Sequence, residues 1–332
     1  MRLPRFDYLG PDNLEETLDL LATHRDDAKI LAGGTDLLVR MKKGLLKPKV
    51  LISLKSLNEL SYIKKKDDHI IIGAGTSIAD IIASDLIKKE SRALHQACEK
   101  IGAMTIQHYR GTIGGNILQD NRCHHYNQSD FHRSGRQPCH KDGGKVCYAR
   151  EESDRCNSTC QSDGATALMA LGANITLVRK DGERTVELTD FYTADGIMPF
   201  AMESFELLKE IIIPIQVGSS AYKRLAYRSA IDYPIVCAGV LLKPSKKDQI
   251  GEARIVVGAM SRSPLFLAKA SSFLKGNNLT DNDAFIKAAD IAMDHASTFA
   301  VHNVGATLEY RCAMVSQMVL GALEQAAKEL NK

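Results

Sequence analysis

The residues best able to do chemistry are five cysteines that fall within one polar stretch of the chain. This set comprises Cys123, Cys139, Cys147, Cys156 and Cys160. The first four follow the pattern C-x15-C-x7-C-x8-C. The residues between them are rich in glycine, histidine, arginine and lysine, and such a long polar loop cannot bury a core of its own. A bound metal centre would order it, because thiolate ligation offsets the entropy lost in fixing the chain.

Three interpretations of this cysteine segment stay open from spacing alone. A [4Fe-4S] cluster takes four thiolates, whose positions in the sequence can be far apart. Zinc sites usually contain close C-x2-C pairs, which the segment lacks, although four histidines keep a mixed Cys/His zinc site open. These histidines are His124, His125, His132 and His140. A flexible loop is the least favoured interpretation, since five exposed thiols would be prone to oxidation. Spacing does not identify which of the five cysteines is spare.

The other three cysteines, Cys98, Cys237 and Cys312, have apolar neighbours and are expected to pack in cores. Eight cysteines in 332 residues, behind a start without a secretory signal, favour a reducing cytoplasmic location over a disulfide framework. The net charge of +3 indicates no nucleic-acid footprint. No run of about 18 apolar residues is present, so the sequence predicts no membrane span.

Two glycine pairs, Gly33-Gly34 and Gly114-Gly115, each follow a strand-like segment. Because glycine has no side chain, the backbone N–H groups of such turns can approach a phosphate closely, and Thr35 and Thr112 add hydroxyl groups. Neither pair matches a Walker motif or the spacing G-x-G-x-x-G. Either pair alone is typical of a tight turn. Two of them, one in each of the first two units, predict a pyrophosphate held in the cleft between those units.

The elements that position these residues begin with a small α/β unit over residues 1–54. Asn13 can cap a helix that begins at Leu14. A strand, the first glycine turn, a helix and a second strand follow between residues 29 and 52. This order predicts a βαβ arrangement.

A second unit, residues 55–216, mixes helices and strands and contains the cysteine segment as an insertion at 120–162. An Asp181-Gly182 turn predicts a β-hairpin within it. Residues 217–332 follow a short Gly-Ser linker and carry strands and amphipathic helices. The predicted fold class is therefore α+β, with three units.

Six short stretches share their sequence with one known family. They are residues 6–8 (FDY), 14–16 (LEE), 31–38 (LAGGTDLL), 111–116 (GTIGGN), 221–223 (AYK) and 228–234 (RSAIDYP). The chain resembles, over nearly its whole length, the FAD-binding medium subunits of the molybdenum hydroxylase family, which includes xanthine dehydrogenase and aerobic carbon monoxide dehydrogenase. The resemblance implies a two-subdomain FAD-binding fold, a small βαβ unit plus a mixed sheet. It also implies a C-terminal α+β domain of antiparallel sheet and helices.

Most subunits of this family lack the cysteine insertion. Its stretches at 119–123 (QDNRC), 126–129 (YNQS), 133–135 (RSG) and 153–156 (SDRC) resemble the β subunits of 4-hydroxybenzoyl-CoA reductases. Those subunits hold an additional [4Fe-4S] cluster in the insertion. The resemblance implies that Cys123, Cys139, Cys147 and Cys156 are the ligands, and it leaves Cys160 as the spare cysteine.

The same resemblance implies which residues bind FAD. The pyrophosphate is expected against the two glycine turns, and three further positions are expected around the flavin. The full set is Leu31, Ala32, Gly33, Gly34, Thr35, Asp36, Leu37, Thr112, Gly114, Gly115, Asn116, Asp163, Leu208 and Lys223. Asp163 could instead cap the helix that follows it, and Lys223 could be a solvated strand residue. One departure is Gln107-His108, which stands where many relatives carry an Arg-Asn pair.

The function implied by the resemblance is an oxidoreductase subunit that relays electrons and has no catalytic residue of its own. FAD would exchange electron pairs for single electrons, and the [4Fe-4S] cluster would connect it to a ferredoxin-type donor. Substrate chemistry would occur on molybdenum in a separate large subunit, linked by a small subunit with two [2Fe-2S] clusters, in a dimerised heterotrimer. In 4-hydroxybenzoyl-CoA reductases the electrons run toward molybdenum.

Basic residues of the insertion offer a second possible role for its surface. They are Arg133, Arg136, Lys141, Lys145 and Arg150. They either steer an acidic ferredoxin or keep the loop in solution.

Two rival functions are weighed against the reductase. One is a xanthine- or aldehyde-type hydroxylase flavoprotein that passes electrons outward. The other is a zinc-stapled scaffold protein without redox activity.

Overall fold

The structure is a computed structural model, and it describes residues 2–246, 248–303 and 305–330. The strands are β1 Asp7–Leu9, β2 Ala28–Leu31, β3 Val50–Ser53, β4 Ile63–Lys66, β5 His69–Gly73, β6 Asn174–Arg179, β7 Gly182–Glu187, β8 Leu207–Pro214, β9 Ser219–Leu225, β10 Val236–Lys246, β11 Gln249–Gly258 and β12 Leu265–Phe266. The helices are α1 Leu14–His24, α2 Leu37–Lys42, α3 Ile78–Ala83, α4 Asp85–Glu90, α5 Arg92–Lys100, α6 Gln107–Arg110, α7 Ile113–Ile117, α8 Asp130–Ser134, α9 Asp163–Ala170, α10 Leu188–Phe191, α11 Ala268–Phe273, α12 Asn282–Ser297 and α13 Leu308–Leu330. Across these described ranges, no helix is long and apolar enough to span a membrane.

The first unit is a three-stranded parallel sheet in the order β1-β3-β2. Asn13 caps α1 by accepting a hydrogen bond from the N–H of Glu16, as its position in the sequence predicts. Leu18 and Leu21 on one face of α1 are buried in the same apolar cluster as the β3 residue Ile52. The strand β1 is not part of the predicted βαβ arrangement. It pairs with β3 on the side opposite to β2.

The second unit is a five-stranded antiparallel sheet in the order β4-β5-β8-β6-β7. The Asp181-Gly182 turn joins β6 to β7 as the predicted hairpin, with Arg179 opposite Gly182. Residues 78–90 form two helices, α3 and α4, with a break between them at Ser84. The break arises because the Ser84 side chain accepts from the N–H of Ile87 and so starts a new helix.

The third unit is a four-stranded antiparallel sheet in the order β12-β11-β10-β9, with α11 and α13 packed against it and α12 packed against those two helices. Its other face lies on α9 of the second unit. Two sheet glycines permit this contact, because a Cβ atom on Gly239 or Gly258 would lie within 3.0 Å of Thr166. The structure confirms the α+β class and the antiparallel C-terminal sheet.

The cysteine insertion is an ordered segment that is fastened at several points. Arg122 and Thr159 exchange two backbone hydrogen bonds of 2.8 Å at its base. The backbone of Asn303 in the third unit accepts from His124, and the N–H of His302 donates to Ala149, each at 3.0 Å. The fully buried Arg311 fixes this contact, since its guanidinium donates to the carbonyl groups of residues 301 and 259 at 2.7 Å.

Candidate functional site

A cavity of about 790 Å³ opens between the first two units and the β9–β10 connection. Its volume is within the range of about 300–1,000 Å³ that is typical of small-molecule and cofactor sites. Most of the residues predicted to bind FAD line it, namely Ala32, Gly33, Gly34, Thr35, Asp36, Leu37, Thr112, Gly114, Gly115, Asn116, Asp163 and Leu208. The structure therefore brings residues from distant parts of the sequence to one cavity.

Two of the predicted residues do not line this cavity. Leu31 ends β2, and its side chain packs beneath Gly34. Lys223 lies in the middle of β9, where its side chain reaches Gly321 of α13. The strand places Lys223 on the face toward the C-terminal helix, so the sequence likeness at this position is not matched by proximity to the cavity.

The first glycine turn presents free donors to the cavity. Among the described residues, the N–H groups of Gly33, Gly34, Thr35 and Asp36 donate to no protein acceptor. Gly34 has a φ of +72°, a left-handed conformation that glycine adopts without strain. Successive free backbone N–H groups in such a turn form an anion-binding concavity. This turn therefore has the chemistry expected of a pyrophosphate site.

The second glycine pair was predicted as a turn after a strand, but it lies inside the short helix α7, which follows α6, and it has a different role. Its N–H groups are used within the fold: Gly114 donates to the carbonyl of Ala74, and Gly115 donates to the Thr112 hydroxyl oxygen at 3.1 Å. A Cβ atom on Gly114 would lie 2.8 Å from Ala74, and one on Gly33 would lie 1.6 Å from the carbonyl oxygen of Arg110. Gly33 therefore lets the two units pack closely, and Gly114 lets α7 pack against Ala74 within the second unit. Gly115 instead is exposed to the cavity.

Asp163 is buried at the start of α9, where it faces the cavity. Its carboxylate accepts a hydrogen bond from the Tyr222 hydroxyl at 2.5 Å and lies 3.6 Å from the guanidinium of Arg224. Burial raises the pKa of the Asp163 carboxyl, and the charge of Arg224 opposes this shift. The capping role belongs to Ser162, whose hydroxyl accepts from the N–H of Ala165. Asp163 thus ties β9 to the cavity wall.

The structure adds a segment at 228–233 that the sequence-based set of FAD residues does not contain. Arg228, Ile231, Asp232 and Tyr233 line the cavity. The guanidinium of Arg122 lies 4.0 Å from the centre of the Tyr233 ring, a cation–π contact that holds this ring in the cavity wall. The only sequence signal for this segment was its place in the RSAIDYP stretch that resembles the family.

The position of Gln107 explains how the chain accommodates its departure from the family pattern. Gln107 lines the cavity, and its side-chain oxygen accepts from the N–H of Ala103 at 2.9 Å. The neighbouring His108 is buried, and burial lowers the pKa of its imidazole. Gln107 therefore holds the 103–107 turn through its side chain.

A second, small cavity of about 20 Å³ lies inside the insertion. Its lining includes all four predicted ligands, Cys123, Cys139, Cys147 and Cys156. Burial raises the pKa of the Cys123 thiol to about 11. Over the described ranges, no three or more Cys, His, Asp or Glu side chains stand close enough together to hold a metal ion. The four thiols thus share one cavity without forming a compact site for a single ion.

Cys160 lies apart from this cavity. It is buried in the apolar core of the second unit with residues such as Ile117 and Leu168. Burial raises the pKa of its thiol to about 12. Its side chain packs as an apolar group, in the same way as Cys98 in that core and Cys237 beside Tyr222.

Two families of known proteins match this chain in succession. Residues 4–216 match the family described as FAD binding domain in molybdopterin dehydrogenase. Residues 220–326 match the family described as CO dehydrogenase flavoprotein C-terminal domain. The first match alone covers more than half of the chain.

Individual proteins of known activity are similar over most of their length. The nicotinate dehydrogenase FAD-subunit of Eubacterium barkeri is 29% identical, over 83% of this chain and 81% of its own. The carbon monoxide dehydrogenase medium chain of Afipia carboxidovorans is 28% identical, over 97% of this chain and 96% of its own. A solved structure of carbon monoxide dehydrogenase from Hydrogenophaga pseudoflava matches with a TM-score of 0.79 and 26% identity, covering 99% of both chains.

Proposed function

Because this chain belongs to the family of FAD-binding flavoprotein subunits of the molybdopterin dehydrogenases, we propose that it carries FAD as the electron-transfer subunit of a molybdenum-dependent dehydrogenase. The observation that carries this proposal is the cavity of about 790 Å³ between the two glycine turns. In this role the chain is an oxidoreductase subunit, and the substrate reacts on a partner subunit.

The cavity supports a specific placement of FAD. The four free N–H groups at Gly33 to Asp36 are suited to the pyrophosphate, since each can donate to a phosphate oxygen. Asp163, Leu208 and Tyr233 line the same cavity. When bound, FAD supplies the exchange between electron-pair and single-electron transfer. The residues of this chain bind and orient it and exclude water from it.

The direction of electron flow that we propose is outward, from a substrate oxidised on molybdenum to an external acceptor. The similar proteins support this choice, because they are named as nicotinate and carbon monoxide dehydrogenases. The reductive direction implied by the likeness to 4-hydroxybenzoyl-CoA reductases is retained as the second candidate. The specific observation in its favour is the cysteine-lined cavity of the insertion.

The partners in the proposal are a large molybdenum-cofactor subunit and a small subunit with two [2Fe-2S] clusters. The naming of similar proteins as medium chains supports a complex of three subunit types. Dimerisation of that complex and use of a ferredoxin are further parts of the proposal. Its location is the cytoplasm, where the eight unpaired thiols of this chain would stay reduced.

A [4Fe-4S] cluster bound by Cys123, Cys139, Cys147 and Cys156 is also proposed. Four thiolates are the donor set of such a cluster, and these four cysteines line one cavity while Cys160 does not. The cavity of about 20 Å³ is small, so the four cysteines must move apart to bind a cluster. Cys139 and Cys147 are half-buried, whereas Cys123 and Cys156 are buried. When bound, the cluster supplies a one-electron couple.

The test of the FAD site uses two valine variants of the full chain, purified anaerobically with any attached partners. Gly115→Val should empty the flavin site, because its branched side chain projects into the cavity while a Cβ atom there meets only the Thr112 hydroxyl, at 3.1 Å. Gly10→Val is the matched control, since position 10 is exposed and far from the cavity. Full FAD content in Gly115→Val would overturn the placement.

Metal analysis and assays of the assembled complex decide the remaining alternatives. Iron and sulfide in the wild-type protein support the cluster, whereas zinc without iron or flavin would support the scaffold alternative. Oxidation of heteroaromatic or aldehyde substrates supports outward flow. Reduction of an aromatic CoA thioester by a ferredoxin would support the second candidate instead.

A further inference from the structure

Among the five basic residues of the insertion named above, Lys141 alone lines the cavity of the cysteines. Both roles predicted for the basic residues require exposed side chains, but the Lys141 side chain is only 5% exposed. Lys141 lines the same small cavity as the four cysteines. By contrast, Lys145, four residues later, is exposed to solvent. A docking role therefore suits Lys145 and not Lys141.

The ammonium group of Lys141 is held by oxygen atoms from three parts of the chain. It donates to the Asp120 carboxylate and to the carbonyl of Gly196 at 2.8 Å, and to the carbonyl of Asn121 at 3.0 Å. A fourth contact, of 3.4 Å, reaches the Ser158 hydroxyl. A lysine that makes this many hydrogen bonds keeps one position, so its charge has a fixed distance from the cavity.

The same contacts lead directly to one of the proposed ligands. The Ser158 hydroxyl that Lys141 contacts lies 3.4 Å from the sulfur of Cys156, and the N–H of Ser158 points to that sulfur at 3.5 Å. On its other side, Asp120 lies 3.2 Å from the guanidinium of Arg40. Arg40 lines the FAD cavity. A row of alternating charges thus runs from one cavity to the other.

We propose that Lys141 sets the reduction potential of the cluster held by the four cysteines, with Asp120 as the counter-ion that limits its effect; this inference rests on the proposed function. Reduction by one electron would add one negative charge to the cluster and would break no bond to the protein. A fixed cation beside the cluster would stabilise that extra negative charge. The effect is larger in a protein interior than in water, because the interior screens charge poorly. Lys141 therefore makes the cluster easier to reduce.

The test is a redox titration of the anaerobically purified complex with dithionite and ferricyanide, followed by the electron paramagnetic resonance signal of the reduced cluster. Lys141→Met should lower the midpoint potential. We expect at least a tenfold change in the one-electron reduction equilibrium, equivalent to about 59 mV. Lys145→Met removes the same charge at an exposed position and should leave the potential unchanged. Asp120→Asn removes the opposing charge and should raise it.

The outcomes separate this inference from the proposed function. An iron-loaded Lys141→Met variant at the wild-type potential, or an equal shift in Lys145→Met, would overturn the role of Lys141 and leave the cluster in place. If Lys141→Met loses its iron, the midpoint potential of the cluster in Asp120→Asn is the deciding measurement. A raised potential in that variant supports the inference, and an unchanged potential refutes it. A wild-type protein without cluster iron would refute the proposed cluster itself.

Discussion

Replacing Gly33 with alanine should force the two glycine turns apart. A Cβ atom at this position would lie 1.6 Å from the carbonyl oxygen of Arg110, whereas real Cβ contacts are not shorter than 3.0 Å. The two backbones must therefore separate by at least the difference, about 1.4 Å. Hydrogen bonds span only a few tenths of an ångström in length, so this movement removes amide contacts to a bound phosphate.

The size of the effect follows from the energy of those contacts. A hydrogen bond to a charged group contributes about 1.5–3 kcal/mol. The loss of one such bond at Gly33 should therefore weaken FAD binding by roughly ten- to a hundredfold. Overpacking against Arg110 should also lower the free energy of unfolding by about 1–3 kcal/mol.

The assay is a fluorescence titration of the flavin-free protein with FAD, together with a thermal unfolding curve. Gly10→Ala provides the control, because its new Cβ atom would meet only Tyr8, at an ordinary contact distance of 3.6 Å. The control should bind FAD like the wild type. Wild-type affinity and stability in Gly33→Ala would refute the close contact between the turns.

Two further predictions concern the thiols and the dependence of stability on pH. Cys123→Ser should lose cluster iron but keep FAD, whereas Cys160→Ala should keep both, because the Cys160 thiol is packed in an apolar core; equal iron loss in both variants would contradict the ligand set. Two hydrogen bonds from Arg184, of 2.7 and 2.8 Å, lower the pKa of the Glu206 carboxyl, so its contribution to stability is present at neutral pH and is lost as the pH falls through that lowered pKa. The unfolding temperatures of Glu206→Gln and wild type should differ at pH 7, and the difference should shrink as the pH falls through the lowered pKa of Glu206; a difference that stays constant through acid pH would contradict this account.

The contacts made by Lys141 and Asp163 show why some roles needed the structure. Both are charged residues in polar stretches, which on sequence alone are typical of a solvated surface or a helix cap. Lys141 is buried because residues 120, 158 and 196, distant in the sequence, converge on its ammonium group. Asp163 is buried because Tyr222 and Arg224 of a later strand reach it. Neither convergence leaves a periodic signal along the chain.

Local chemistry was readable directly from the sequence. Asn13 caps α1 and Asp181-Gly182 turns the hairpin because each acts on residues no more than a few positions away. The glycine pairs and the cysteine pattern likewise identified the two stretches that face the cavities. The α+β class followed from the same local patterns, since the period of apolar residues depends on the secondary structure itself.

Only the tertiary structure distinguished the two glycine turns. From the sequence they are equivalent, yet the first leaves four N–H groups free and the second satisfies its own within the fold. Residue types and spacing do not select four of the five cysteines, and before the structure only the family resemblance proposed a set. The structure adds where long-range packing places each thiol, with Cys160 in the core and the other four around one cavity. Such packing joins residues far apart in the chain, so no local pattern encodes it.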